Sequence, residues 1–412
     1  MMNEALHVVV VGGGAAGLIA AGCAARRGYR VTVIERNPRP ARKVMITGKG
    51  RCNVTNDSTV ADCVANVPGN GRFLYSAFSS FTPQDTMQLF EELGVPLKTE
   101  RGRRVFPVSD KAVDIVDALV RYARFGGTQF VTGRVTRLLV EDGVCCGVEL
   151  ENGSTIEAYG VIVCTGGCSY PGTGSTGDGY ALAGQAGHTV VPPRPSLVPL
   201  VVSTPDCADM QGLSLRNCSL SVTDTATGKT LFEDFGELLF THFGVSGPLV
   251  LSASAHIRDM QPNRYRLTID LKPALTPEQV DARLVREAEQ KPNACLGNML
   301  AALLPRSLIV PVLNAAAIPG ETKCHSVSRE MRRRLGEVLK GFSLTVQEFR
   351  PLAEAIVTAG GVSTKEINSK TMASRLVSGL SFAGEVIDVD AYTGGFNLQI
   401  AFSTGMAAGN HI

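Results

Sequence analysis

Tryptophan is absent from this 412-residue sequence, and aromatic residues make up only 6%. A base-stacking surface is therefore poorly supplied. Charge of one sign is missing too: 40 Lys and Arg stand against 38 Asp and Glu, a formal net charge of +2. Polyanion binders carry a clear basic excess, so nucleic acid is a poor default partner. The 11 cysteines form no CxxC and no Cys/His zinc spacing. Their odd number and irregular placement suit reduced thiols in a cytoplasmic protein, and no metal site is expected. Cys145 and Cys146 are adjacent but sit in a strand pattern with Val144, Val148 and Leu150. No segment is long and uncharged enough to span a bilayer. The apolar run 6–25 resembles a leader only loosely. Glu4, and no Lys or Arg, precedes it, and three glycines interrupt it.

What is abundant is glycine, 44 residues, in discrete clusters rather than a repeat. Such clusters suggest tight backbone turns near a ligand. The length suggests two or three domains. Residues 7–11 form a strand, 18–27 an alanine-rich helix and 30–34 a second strand closed by Glu35, together a βαβ unit. Residues 128–140, 144–150 and 161–164 read as further strands. Proline-dense residues 191–195 read as a connection. Short strands over 197–270 point to a small antiparallel barrel or sandwich. Residues 276–341 are helical, interrupted by Pro292, Pro305 and Pro311, and a last helix covers 401–410.

The βαβ turn carries Gly12-x-Gly14-x-x-Gly17. Gly12 allows the tight turn, Gly14 leaves room for a pyrophosphate, and Gly17 lets helix and strand pack closely. The helix N-terminus offers free N–H groups and partial positive charge to phosphate. Glu35 ends the second strand, where a carboxylate can accept both ribose hydroxyls and repels a 2′-phosphate. FAD and NAD remain. The basic loop Arg42 to Asn53 can wrap a long ligand. Two further glycine blocks follow, one after Cys164 and one from Phe382 to Gln399.

GGGAAGL, MITGKGRCNVTN, TGGCSYPGTGSTGDGY, LLFTHFGVSGP and FAGEVIDVDAYTGGFNLQIAFSTG together resemble the BaiN-like (YhiN-like) family of FAD-dependent oxidoreductases, also labelled aminoacetone oxidases. The resemblance covers nearly the whole chain, with Ala391 standing where glycine is commoner. It implies an α/β fold: a Rossmann-like FAD-binding domain with an inserted β-barrel domain and a helical subdomain. The expected boundaries are 1–190 for the first FAD-binding part, 191–275 and 342–360 for the barrel, 276–341 for the helices and 361–412 for the C-terminal FAD-binding part. The implied FAD contacts are Gly12, Gly14, Ala15, Ala16, Gly17, Glu35, Arg36, Lys43, Gly48, Arg51, Cys52 and Asn53. Val135, Thr165, Gly166, Gly384, Glu385, Asp388, Gly395, Asn397, Leu398 and Gln399 complete them. Family members have been linked to reduction of conjugated enones. The expected function is therefore a bacterial, cytoplasmic reductase passing hydride from reduced flavin N5 to an electron-poor alkene in a small-molecule substrate. NAD(P)H would be a transient electron donor, since no second complete GxGxxG unit exists. The alternatives are a flavin amine oxidase using O2 and a flavin-bearing RNA-binding or regulatory protein. Arg329, Arg332, Arg333 and Arg334 on one helix carry the last. Tyr170, His242, Tyr392 and Cys52 are the catalytic candidates.

Overall fold

The computed structural model describes residues 5–203 and 207–412. The chain divides into two compact units, Met1–Ser196 with Pro351–Ile412, and Leu197–Arg350. In the first, β1 (His7–Val11) lies at the centre of a five-stranded sheet. β2 (Arg30–Glu35) and then Gln129–Thr132 lie on one side, Gly160–Val163 and then Leu380–Phe382 on the other. All four pairings are parallel. Val8 to Val11 are buried without alternation, as expected of a strand covered on both faces. The strand order reverses beside β1, and such a switch point opens a crevice at the strands' carboxyl ends.

Helix α1 (Ala15–Arg26) follows β1, and every residue from Ala15 to Ala25 is buried. It packs against the C-terminal helix Phe396–His411 and against Ala112–Ala123. The leader-like apolar run is thus a buried strand and a helix buried on all sides. Among the described residues, no helix is long and apolar enough to cross a membrane. Leu380–Phe382 and the C-terminal helix bring the end of the chain onto the N-terminal βαβ unit.

Three local readings change. Residues 128–140 are two strands, because the chain leaves the parallel sheet at Gly133 and Arg134. It then enters an antiparallel meander of Val135–Glu141, Val144–Leu150 and Thr155–Glu157. The proline-dense stretch is itself a strand, Val190–Ser196, antiparallel to Val357–Val362. Its register shifts between Val191 and Arg194, so Pro192 and Pro193 fall where the ladder requires no N–H. Residues 191–196 and 351–360 therefore group with the first unit and not with the barrel. The basic loop Arg42 to Asn53 contains the short helix Arg42–Ile46, and the strand Thr55–Asn56 follows it. That strand joins Arg104–Pro107 and Leu97–Glu100 in a small antiparallel sheet.

The second unit is a closed six-stranded barrel followed in space order from Leu200–Val202 through Gly244–Ser246, Lys229–Thr241, Ser214–Asp224 and Tyr265–Asp270 to Phe342–Phe349. Closure between first and last leaves no free edge. Leu220, Val222, Phe240, Leu267, Ile269 and Leu344 fill its core. Helices from Pro277 to Lys340 pack within the same cluster. On Arg329–Lys340, Arg332 pairs with Asp281 at 2.9 Å, and Arg333 with Glu330 and Glu337 at 2.7 and 2.5 Å. Half of the four-arginine face is thus neutralised locally.

Candidate active site: a dinucleotide cavity in the parallel-sheet unit

The three glycines of the first turn do three different things. Gly12 has φ +102°, and a Cβ there would lie 2.5 Å from the Cys164 carbonyl oxygen. A Cβ on Gly17 would collide with the Gly12 carbonyl. Both positions serve close packing of backbone on backbone. Gly14 differs: a Cβ there meets nothing within 4 Å. Gly14, Ala15 and Ala16 face a cavity, and the first-turn N–H groups of α1 have no intrahelical acceptor. That combination can hold a pyrophosphate. Glu35 stands beside it. Its Oε2 accepts from the Gly13 amide at 2.8 Å, and its Oε1 from the Asn37 amide and Nδ2, each at 2.8 Å. An ionised carboxylate has about four acceptor positions, so one remains for a ribose hydroxyl.

The cavity continues past Arg36, Gly133, Arg134 and Val135 in one direction. Asp178 joins this end. It accepts two 2.9 Å hydrogen bonds from Arg134 and pairs with Arg36 at 3.3 Å. Burial opposes the Asp178 charge, but Arg134, Thr176 and Arg36 outweigh it and hold the carboxyl below its usual range. Thr165 and Gly166 line the cavity at the end of Gly160–Val163, and Thr165 Oγ1 is buried without a partner. That oxygen is shielded from the cavity and lies against Gly179, where a Cβ would collide with it.

In the other direction the lining runs through Lys43, Val44, Thr47, Ile356, Val357, Gly384, Glu385, Asn397 and Leu398. Lys43 Nζ donates to Glu385 Oε2 at 2.7 Å and to Ser169 Oγ at 2.6 Å. Glu385 Oε1 also accepts the Thr358 amide at 2.8 Å. Both charged side chains are mostly shielded, with 23% and 20% exposure. Replacing Lys43 by Met leaves a shielded carboxylate with only neutral donors, a loss of roughly 1–3 kcal/mol for such a group. We expect FAD affinity to fall about fivefold to a hundredfold, read by flavin fluorescence on dilution. Unchanged affinity would separate this pair from the cofactor.

Several expected contacts lie elsewhere. Arg51 is held by Glu100 and Asp110 at 2.5 and 2.6 Å and stacks on Phe106 at 4.2 Å. Gly48 turns this loop with φ +56°, and neither residue lines the cavity. Asn53 is half-buried with Oδ1 unpartnered but is also outside the lining. Gln399 spends all four of its hydrogen bonds: Oε1 accepts from Thr55 and Thr86, and Nε2 donates to Phe81 O and Ser403. None is left for a cofactor. Asp388 accepts from Asn70 and from the Gly360 amide. A Cβ on Gly395 would collide with the Thr55 backbone, so this glycine faces protein. Asn397 reaches the cavity, yet its side chain staples the loop, accepting the Ala391 amide and donating to Ala391 O.

Of the catalytic candidates, Cys52 is fully buried, and burial pushes its thiol up to about 12 against a weaker Thr47 hydrogen bond. Cys52, Tyr170 and Tyr392 do not line the cavity, and His242 is exposed on a turn of the second unit. The sequence reading did not name Asn37, Ser175, Asp178 or Val389 as contacts, although the last three fall within the glycine blocks it singled out. Asn37 was signalled only by its place two residues beyond Glu35.

A parallel-sheet switch point, a glycine turn open to a cavity and a carboxylate at the end of β2 define a dinucleotide-binding protein of the Rossmann class. Residues 6–411 match the HI0933-like protein Rossmann domain, and the chain belongs to that family. The family consists of FAD-dependent oxidoreductases, and this chain is one of them. It is 32% identical over 404 residues to the ribosomal RNA dihydrouridine synthase of Escherichia coli (strain K12), covering 98% of this chain and 97% of that one. It is also 32% identical over 409 residues to the 3-dehydro-bile acid delta(4,6)-reductase of Clostridium scindens, covering 98% of each. Among solved structures, a 3-ketosteroid delta1-dehydrogenase from Sterolibacterium denitrificans shares the fold, with TM-score 0.50 and 13% identity over 99% of both chains. The composition argument against nucleic acid finds no support in this set, since the first relative's name specifies an RNA. FAD fits the residues present: the open space over Gly14 suits its pyrophosphate, and Glu35 keeps one acceptor position for a ribose hydroxyl.

Proposed function

We propose that this protein reduces a carbon–carbon double bond conjugated to a carbonyl, and that the bond is C5=C6 of a uracil in RNA. The observation that carries the flavoenzyme reading is the cavity, whose lining runs from Val135 to the N-terminus of the C-terminal helix. The two curated relatives support the bond type. Dihydrouridine formation and reduction of a 3-oxo diene both add two hydrogens across an alkene polarised by a carbonyl. When bound, FAD supplies the hydride from reduced N5, with NAD(P)H as the electron source.

The chain's own residues bind and polarise. The α1 N-terminus and Gly14 take the pyrophosphate, and Glu35 takes the ribose. Arg36, Arg134 and Val135 frame the adenine end, while Lys43 and Glu385 fix the ribityl end. Phe396, Asn397 and Leu398 form the first turn of the C-terminal helix, whose free N–H groups favour negative charge on the flavin's pyrimidine edge by about 0.3–2 kcal/mol. Gly395 cannot carry the test of this, because any side chain there meets Thr55. Leu398 is half-buried and faces the cavity. Leu398→Asp should lower the two-electron potential by some tens of millivolts, since 30 mV is about 1.4 kcal/mol for this couple. Equilibrium dye titration of FAD-loaded proteins reads it, and an unchanged or raised potential would move the pyrimidine edge elsewhere.

The function is tested anaerobically. Protein reduced with NADH or NADPH should be reoxidised by uridine-containing RNA, and nucleoside mass spectrometry should show dihydrouridine. Reduction by a primary amine, with reoxidation only by O2, would establish the oxidase alternative instead.

A further inference from the structure

Outside the cavity lining lies a basic turn that no part of the cofactor site uses. It joins Leu97–Glu100 to Arg104–Pro107, and Arg101, Gly102, Arg103 and Arg104 are all exposed. Asn56 ties it to the flavin end. Its Nδ2 donates to Gly102 O and to Gly394 O, each at 3.0 Å, and Gly394 lies two residues before the C-terminal helix. The Asp57 amide donates to Arg103 O at 2.8 Å and braces the turn from the same strand. From the other side comes the loop Thr47–Gly50, in which Thr47 lines the cavity and Lys49 is exposed with φ +59°. Phe106 joins loop and turn, with Arg51 4.2 Å and Arg104 5.9 Å from its ring centre.

Two nearby acids are taken by other cations, and a third, Asp57, accepts from Gln84 at 3.0 Å. Glu100 and Asp110 neutralise Arg51 and Lys98. Among the described residues, Lys49, Arg101 and Arg104 have no carboxylate partner. Arg103 has one, Asp62, at 3.3 Å in an exposed pair, which contributes little and exchanges readily. The chain as a whole is nearly neutral, so unpaired cations gathered on this turn and the neighbouring loop are a local feature.

We propose that the Arg101–Arg104 turn and Lys49 grip the phosphate backbone of the RNA whose uracil enters the cavity. This rests on the uracil reading above and adds the surface that holds the strand. A neutral, aromatic-poor protein can bind RNA in this way, because backbone contacts need only a few cations fixed at phosphate spacing and no stacking platform.

The experiment uses full-length, FAD-loaded protein and a fluorescein-labelled single-stranded RNA oligonucleotide. Anisotropy titrations over a series of KCl concentrations compare wild type with the triple variant Lys49→Gln, Arg101→Gln, Arg104→Gln. Each phosphate contact on a single strand contributes about 0.7 to the slope of log affinity against log salt. The triple variant should therefore lose about 2 from that slope and bind at least tenfold more weakly at low salt. Flavin content and reoxidation by free uridine should stay at wild-type levels. Arg101→Lys with Arg104→Lys should keep the slope, because a lysine preserves the charge. A wild-type slope in the triple variant, or no salt-dependent RNA binding by wild type, would overturn the proposal. Loss of slope in a protein that reduces no uracil would leave the grip standing and remove the substrate. Wild-type reduction of RNA by the triple variant would do the reverse.

Discussion

Gly14→Val should give a folded, colourless protein. Gly14 has φ −80° and ψ −170°, extended backbone that a β-branched residue adopts without strain. Its side chain would meet no protein atom within 4 Å of Cβ, so folding has no reason to fail. The branched side chain would instead stand in the cavity over the α1 N-terminus, where the pyrophosphate is placed. Losing that site costs on the order of 4 kcal/mol or more, a thousandfold or greater fall in affinity. Flavin absorbance per mole of purified protein measures the loss, and circular dichroism checks the fold. Gly17→Val is the informative contrast. Its side chain would collide with the Gly12 carbonyl, so it should lose structure as well as flavin. Stoichiometric FAD in folded Gly14→Val would remove the pyrophosphate from this turn.

The dinucleotide end was legible because its chemistry is local. Strand, glycine turn, helix and Glu35 lie within 29 residues, from His7 to Glu35, and each glycine's constraint comes from its own turn or its neighbour strand. The α/β class, with barrel and helices between the two halves, was legible for the same reason: strand and helix periods show within short windows. Misplaced contacts share a different property. Gln399 is consumed by Thr55 and Thr86, 344 and 313 residues away, and Arg51 by Glu100 and Asp110, 49 and 59 residues away. A motif tells which residue types occur near a cofactor. It cannot tell which of them are already satisfied by a distant partner, and Gln399 beside Leu398 shows how adjacent residues in one motif divide between core and cavity. Asp178 was missed for the converse reason. Its role is set by Arg134 and Arg36, neither of which is near it in the chain. Proline content misled at 191–195, where a register shift lets Pro192 and Pro193 lie in a strand.

Gly405→Ala should cost the parallel-sheet unit stability although it adds a single methyl group. A Cβ at Gly405 would collide with the Ala16 carbonyl oxygen, and one at Gly409 would lie 2.6 Å from that of Ala20. Both contacts repeat at a spacing of four, so one face of the C-terminal helix lies directly on one face of α1. These are backbone atoms at buried positions of both helices, and neither can move aside cheaply. Overpacking of this kind costs about 1–3 kcal/mol. For a unit of this size each kcal/mol lowers Tm by roughly 2–4 °C. Gly405→Val should be worse and should also lose FAD, because Ala16 and Leu398, which line the cavity, belong to the two helices that would be pushed apart. Gly184→Ala is the control. It lies exposed in the helix Asp178–Gln185 with nothing within 4 Å of its Cβ, so it should leave Tm unchanged or raise it. Thermal melts of the FAD-loaded proteins decide. A Gly405→Ala protein as stable as Gly184→Ala would mean that the two helices do not meet backbone to backbone, and that the flavin's two ends are brought together by some other contact.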